Sequence, residues 1–293
     1  SGTSISFGTA VIFESATSNW VSAILDSTNN KVVIAYADGG NGYYGTSIVG
    51  TVSGTSISFG TAVVFESANI TYCSATFDSA NNKAVFAYQD GGNSDYGTAI
   101  VGTVSGTSIS FGTAVVFAAA STYYNSAIFD STNNKTVIAY RGTSNYGTAI
   151  IGTVSGTSIS FGTAVVFAAA STNESKAIFD SSANKVVIVY KDNGTAEGRT
   201  IAGTVSGTSI SFGTAVVFNT GSTSNIGGTY DSTNNKVVIV YRDVGNSNYG
   251  TGIVFTVGSS NNTDFIGITD EAIANTASGS VVVQGGVITN TGL

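Results

Sequence analysis

At 293 residues with 42% hydrophobic content, the chain can bury a sizeable core, although only 9% of it is charged. A formal charge of −7 and a pI near 4.3 exclude a nucleic-acid backbone or an anionic membrane surface as partner. No apolar run approaches the roughly 18 residues of a membrane helix, and the lone Cys73 excludes an internal disulfide framework.

The phrase SGTSISFGTAV opens the chain at Ser1 and recurs at Ser53, Ser105, Ser155 and Ser206. A self-similar period near fifty marks a repeat architecture. Taking the second unit as the pattern, SISFGTAVVF (56–65) alternates bulky and small side chains and reads as one strand. An irregular loop, ESANITYCS, leads to a short strand, ATFD (75–78), and a tight turn at Ser-Ala-Asn-Asn. KAVFAYQ (83–89) is the third strand, DGGNSDYG a second irregular loop, and TAIVGTV (98–104) the fourth strand. Four short antiparallel strands in about fifty residues make one blade of a β-propeller. A stacked β-solenoid is the other architecture that would bury both strand faces.

In KVVIAY, Val32, Ile34 and Tyr36 share one face while Val33 and Ala35 line the other. A bulky face alternating with a small apolar one lets each blade pack on the next at native density. The last repeat ends at TGIVFTV (251–257) with no SISFG after it. The N-terminal strand, residues 4–13, is therefore expected to pair with 250–257 and close a five-bladed ring, hiding two sheet edges. Residues 1–257 form that propeller in this reading. Residues 258–293 form a small C-terminal β module for attachment or oligomerisation, with strands at Phe265–Thr269 and Ser280–Val283 and a helical turn at Asp270–Asn275. With no initiator Met and no signal peptide, the chain reads as a mature or trimmed form.

The GTVSGTSISFGTAVVF unit, its FDSxNNKVVIAY hairpin and the tail phrase DFIGITDEAIANTASGSVVVQGGV resemble repeats of bacteriophage virion appendage and tail-fibre proteins. The resemblance implies a non-enzymatic structural role on a virion or outside the cell, within a larger assembly. Its partners would be other appendage subunits, met through the C-terminal module, and a cell-surface glycan. It supplies no catalytic residues and implies no cofactor.

Antiparallel order puts the DSxNN and SGT turns on one face and the two irregular loops on the other. The first face barely changes between repeats, whereas the second varies in every one, and binding residues tend to sit on loops held by a rigid scaffold. Seven residues past Phe13, Phe65, Phe117, Phe167 and Phe218 stand Trp20, Tyr72, Tyr124, Glu174 and Asn225, expected near the central axis. A second set, Tyr44, Tyr96, Tyr146 and Tyr249, with Glu197 in the fourth repeat, precedes the Gly that opens the last strand of each unit. Aromatic platforms among amides and hydroxyls suit the apolar faces of sugar rings. The alternative is that these rings only cover the blade tops.

The repeated Asp26, Asp78, Asp130, Asp180 and Asp231 each precede Ser and a further turn residue, which points to capping of the turn's own N–H groups rather than to a metal site. In the fourth repeat Glu174, Lys176, Lys191, Asp192, Glu197 and Arg199 gather on the variable loops. Two carboxylates at catalytic separation there would make a carbohydrate-active enzyme, and mutual ion pairing would make only a charged patch.

Overall fold

The computed structural model describes residues 4–258 in full, and beyond them the backbone of three short strands, Ile268–Thr269, Ser280–Val283 and Gly286–Thr289. The chain divides into two compact units, Ser1–Val257 and Gly258–Leu293.

The first unit is a series of antiparallel sheets that follow the sequence repeat. In repeat 1, Ser18–Asp26 pairs with Lys31–Asp38, which pairs with Tyr44–Ser53, which pairs with Ser56–Phe59 and then with the start of Val63–Asp78. Repeats 2, 3 and 4 reproduce this order. Repeat 5 holds three strands, Thr223–Asp231, Lys236–Asp243 and Tyr249–Phe255.

Two local departures from the sequence expectation have clear causes. The SISFGTAVVF strand breaks at Gly60–Ala62, because the Gly60 backbone presses on the next repeat's turn. A Cβ on Gly60 would lie 1.9 Å from the Thr107 carbonyl oxygen, and Gly112 and Gly162 meet Thr157 and Thr208 in the same way. The supposed loop ESANITYCS is part of one long strand, Val63–Asp78, that leaves the outside of repeat 1 and becomes the inside of repeat 2. The sequence hides this because its apolar alternation lapses where the strand changes partners.

The repeats stack face to face. Val33, Ala35, Ala37 and Val49 of repeat 1 pack on Phe65, Ile70, Phe86, Tyr88 and Ile100. Val85, Ala87, Ala99 and Val101 meet Phe117, Ile138, Tyr140 and Ile150 in turn. Hydroxyls fasten the inner edges, since Ser22, Ser74 and Ser126 each accept the N–H of the next repeat's Ala75, Ala127 and Ala177 at 3.0 Å. Losing one such acceptor strands a buried N–H at a cost of about 1–3 kcal/mol. On the opposite face the repeated Asp caps its turn as expected: Asp78 Oδ1 accepts from Ala80 and Asn81 N–H, both at 3.0 Å. Asn30, Asn82, Asn134, Asn184 and Asn235 close these turns in the left-handed region, with φ of 53–57°.

The N-terminal strand does not close the ring. Residues 4–13 form no strand, and Tyr249–Phe255 pairs only with Lys236–Asp243 among the described residues. Phe255 supplies the reason. It stands where the other repeats have Gly50, Gly102, Gly152 and Gly203, the seats of the outer strand's Ile and Phe. Even a bare Cβ on Gly102 would come within 2.7 Å of Ile109 Cδ1 and 3.0 Å of Phe111. Residues 4–13 lie instead against repeat 1, in the place an outer strand takes relative to the following repeat. Phe13 meets Tyr36 edge-on at 5.2 Å, and Glu14 accepts from the Tyr36 hydroxyl at 3.2 Å, as Glu66 does from Tyr88. The open ends leave Val240 and Val254 52% and 58% exposed, whereas Ala87 and Val101 are fully buried.

In the second unit, Ser280–Val283 is a strand as expected and pairs with Ile268–Thr269 and Gly286–Thr289. The expected strand Phe265–Thr269 is described only at its last two residues, and the helical turn Asp270–Asn275 lies outside the described residues.

Replacing Phe255 by Gly should restore the outer-strand seat. Hydrogen exchange should then show slowed amides across residues 4–13, which should exchange faster in the parent, where they form no strand. Protection of residues 4–13 already present in the parent would contradict the blocking role of Phe255.

Candidate functional site

Each inner strand carries a β-bulge where it enters its sheet, and register shifts fall between Asn19/Ser22, Thr71/Ser74, Tyr123/Ser126, Asn173/Lys176 and Ser224/Gly227. The residue at each bulge is one of the five expected at the axis. Trp20, Tyr72, Tyr124, Glu174 and Asn225 all have left-handed backbones, with φ of 51, 50, 54, 53 and 54°. This conformation costs a side chain with a Cβ about 1–2 kcal/mol, and least for Asn. The bulge re-aims a side chain that a regular strand would point along the sheet face. All five converge on one cavity of about 400 Å3.

The aromatic members form an arc. Trp20 and Tyr72 have ring centroids 4.3 Å apart, and Tyr72 and Tyr124 lie 5.2 Å apart. The Arg141 guanidinium backs the arc, 4.3 Å from the Tyr123 ring and 5.2 Å from that of Tyr124. Trp20 is 43% exposed. Opposite them, Glu174 Oε2 accepts the Ile226 N–H at 3.2 Å, which fixes the carboxylate at the rim.

The residues following the bulge positions complete the lining, with Cys73, Asn125, Ser175 and Ile226 contributing. Asn125 and Ser175 are 8% and 7% exposed, yet neither the Asn125 amide atoms nor the Ser175 hydroxyl has a hydrogen-bond partner among the described residues. Buried polar groups without partners are rare and costly, so these three atoms define an unfilled bonding capacity at the cavity wall. Burial pushes the Cys73 thiol up to about 12, which keeps it in the neutral thiol form. Sequence reasoning missed Asn125, Ser175 and Arg141. The signal was there, because the position after each bulge reads Val21, Cys73, Asn125, Ser175 and Ile226 and varies as much as the bulge residue itself.

The second expected set is not part of this cavity. Tyr44 and Tyr96 are half-buried, while Tyr146 and Tyr249 are exposed at the heads of their strands. Their carbonyls accept from Thr46, Thr98, Thr148 and Thr251 hydroxyls, a local turn contact that any residue could make. The acidic cluster of repeat 4 pairs internally: Arg199 lies 2.6 Å from Glu197 Oε2 and 3.4 Å from Asp192 Oδ2. Both carboxylates thus face one guanidinium, an ion-pair patch rather than a general acid and base.

No protein-family model matches the sequence, and no curated protein is similar to it. Solved structures do share the fold. A mutant of AofleA from Arthrobotrys oligospora superposes with a TM-score of 0.55 at 11% identity, over 86% of this chain and 73% of that one. A mutant of the Aleuria aurantia lectin, solved with α-methyl-L-fucoside, gives 0.52 at 15% identity, over 82% of this chain and 75% of that one. At these identities the likeness concerns the fold, an all-β assembly of repeated antiparallel sheets that fits a β-propeller. These neighbours lend no support to the tail-fibre resemblance.

The bulge geometry makes a stability prediction. Trp20→Gly removes both the left-handed strain and the ring contact with Tyr72, two effects of about 1 kcal/mol and opposite sign. The thermal midpoint should stay within about 3 °C of the parent. A larger fall would mean that the indole covers the core rather than presenting itself to the cavity.

Proposed function

We propose that this chain is a non-enzymatic glycan-binding protein, a lectin on a five-bladed β-propeller, whose axial cavity holds a sugar. The observation that carries the reading is the pairing of two features in one cavity. An aromatic arc suits the C–H face of a pyranose, and the Asn125 amide and Ser175 hydroxyl, buried in the wall without partners among the described residues, can turn toward the cavity to bond sugar hydroxyls. Five left-handed bulge residues are a cost that a purely structural strand would not need, and such strain gathers at ligand sites. The lectin among the structural neighbours supports the same reading.

Among the described residues Glu174 is the one charged side chain lining the cavity, so its carboxylate disfavours sialic or uronic acids and selects neutral sugars. The chain would act on a virion or outside the cell, as its repeats' resemblance implies, with residues 258–293 attaching it to other subunits.

Replacing Trp20 and Tyr124 by Ala should cost about 2 kcal/mol of binding or more for each anchor, roughly thirtyfold in affinity. Asn81→Ser, on the opposite turns, should leave affinity unchanged. A glycan array followed by calorimetry on the parent and these variants checks both. Equal losses from the two faces, or an array on which the parent binds no glycan, would overturn the reading.

A further inference from the structure

Repeat 3 combines a short loop, which is its own, with the loss of an acidic residue, which it shares with Ala168 of repeat 4, and the two meet at one place. The loop between its second and third strands runs Arg141–Asn145, two residues shorter than Ala37–Tyr43 and Gln89–Asp95. Ala118 also stands where repeats 1 and 2 have Glu14 and Glu66. In repeats 1, 4 and 5 this loop is tied to the preceding crossover segment, by Gly39 N–H to Thr17, Asn193 N–H to Ser171 and Val244 N–H to Ser222. In repeat 2 the loop lies so close that a Cβ on Gly91 would meet the Asn69 carbonyl at 2.7 Å. The short loop of repeat 3 instead folds on itself, with Gly142 N–H donating to the Tyr146 carbonyl.

The result is a cleft of about 470 Å3 between repeats 2 and 3, separate from the axial cavity. Ala118, Ala120 and Val166 give it methyl-lined walls, Tyr140 and Tyr146 add aromatic surface, and no charged side chain among the described residues lines it. At its base the Tyr140 hydroxyl has lost the carboxylate that the hydroxyls of Tyr36 and Tyr88 keep, and it makes no hydrogen bond among the described residues. Tyr140 is 4% exposed and lines the cleft, so the solvent its hydroxyl can reach is that of the cleft. Burial pushes the phenol up to about 12, which keeps it a neutral donor.

We propose that this cleft is a second binding site, for the acetamido group of an N-acetylated neutral sugar. The methyl of that group matches the alanine walls, and its carbonyl accepts the Tyr140 O–H left free by the loss of the glutamate. An uncharged lining gives nothing to a carboxylate or an ammonium, so charged ligands are excluded by desolvation alone. Repeats 1 and 2 show what closes such a site, a single Glu bonded to the tyrosine.

The test uses the full chain with methyl glycosides of N-acetylglucosamine and glucose at millimolar concentration, followed by saturation-transfer NMR and calorimetry. The parent should bind the N-acetylated sugar with its acetamido methyl in closest contact, and bind glucose at least tenfold more weakly at this site. Ala118→Glu rebuilds the contact seen in repeats 1 and 2 and should abolish that binding. Tyr140→Phe, which keeps the cavity and removes only the donor, should weaken it about tenfold. Trp20→Ala should leave it intact, so this site and the axial one are scored separately. No acetamido contact in the parent, or binding unchanged in both cleft variants, would overturn the inference while leaving the axial reading to its own test.

Discussion

The packing of one repeat's small face against the next repeat's large face is the contact on which the rest of this structure depends. Val33, Ala35 and Val49 on one side, and Phe86, Tyr88 and Ile100 on the other, leave less than 5% of any of these residues exposed. Each large side chain so buried contributes about 1.5–3 kcal/mol, and the junction recurs down the chain. The close approach is possible because Gly60, Gly112 and Gly162 let each repeat's outer strand touch the carbonyl of the next turn. Alanine at any of them would force the two repeats apart.

This frame makes the axial cavity affordable. A left-handed tryptophan or tyrosine is unfavourable alone, yet here each sits between strands whose register is fixed on both sides of the bulge. The serine hydroxyls that accept the next repeat's N–H come two residues after the bulge. Bulge and lock therefore form one device: the extra residue turns a side chain to the axis, and the hydroxyl beyond it ties the strand to its neighbour. In repeat 4 the serine becomes Lys176, and Glu174 takes over the task by accepting the Ile226 N–H. A cavity residue thus doubles as a strut between repeats 4 and 5.

Much of this was legible in the sequence, and what was not has specific physical causes. The period, the alternating faces and the Asp-capped turns rest on local chemistry that repeats identically, so one unit predicts the others. The axial set was legible because counting from each Phe lands on the bulge in all five units. The strand Val63–Asp78 was not, since its polar middle serves two different sheets in succession. Ring closure was misjudged at one residue, Phe255, whose meaning appears only once Gly102 and its equivalents are seen beneath Ile109 and Phe111. The repeat 3 cleft could not be read either, because a two-residue deletion and an Ala at 118 are silent until the Tyr140 hydroxyl is seen without its partner.

Trp20 is the chain's single tryptophan and stands on the cavity rim, so its emission reports on the axial site without labels. Titrating the parent protein with the neutral glycan it binds best should produce a saturable change in that emission, with the same midpoint as the heat of binding. Heat of binding with no change in the Trp20 signal would place the sugar elsewhere and contradict the account of the axial cavity as the glycan site.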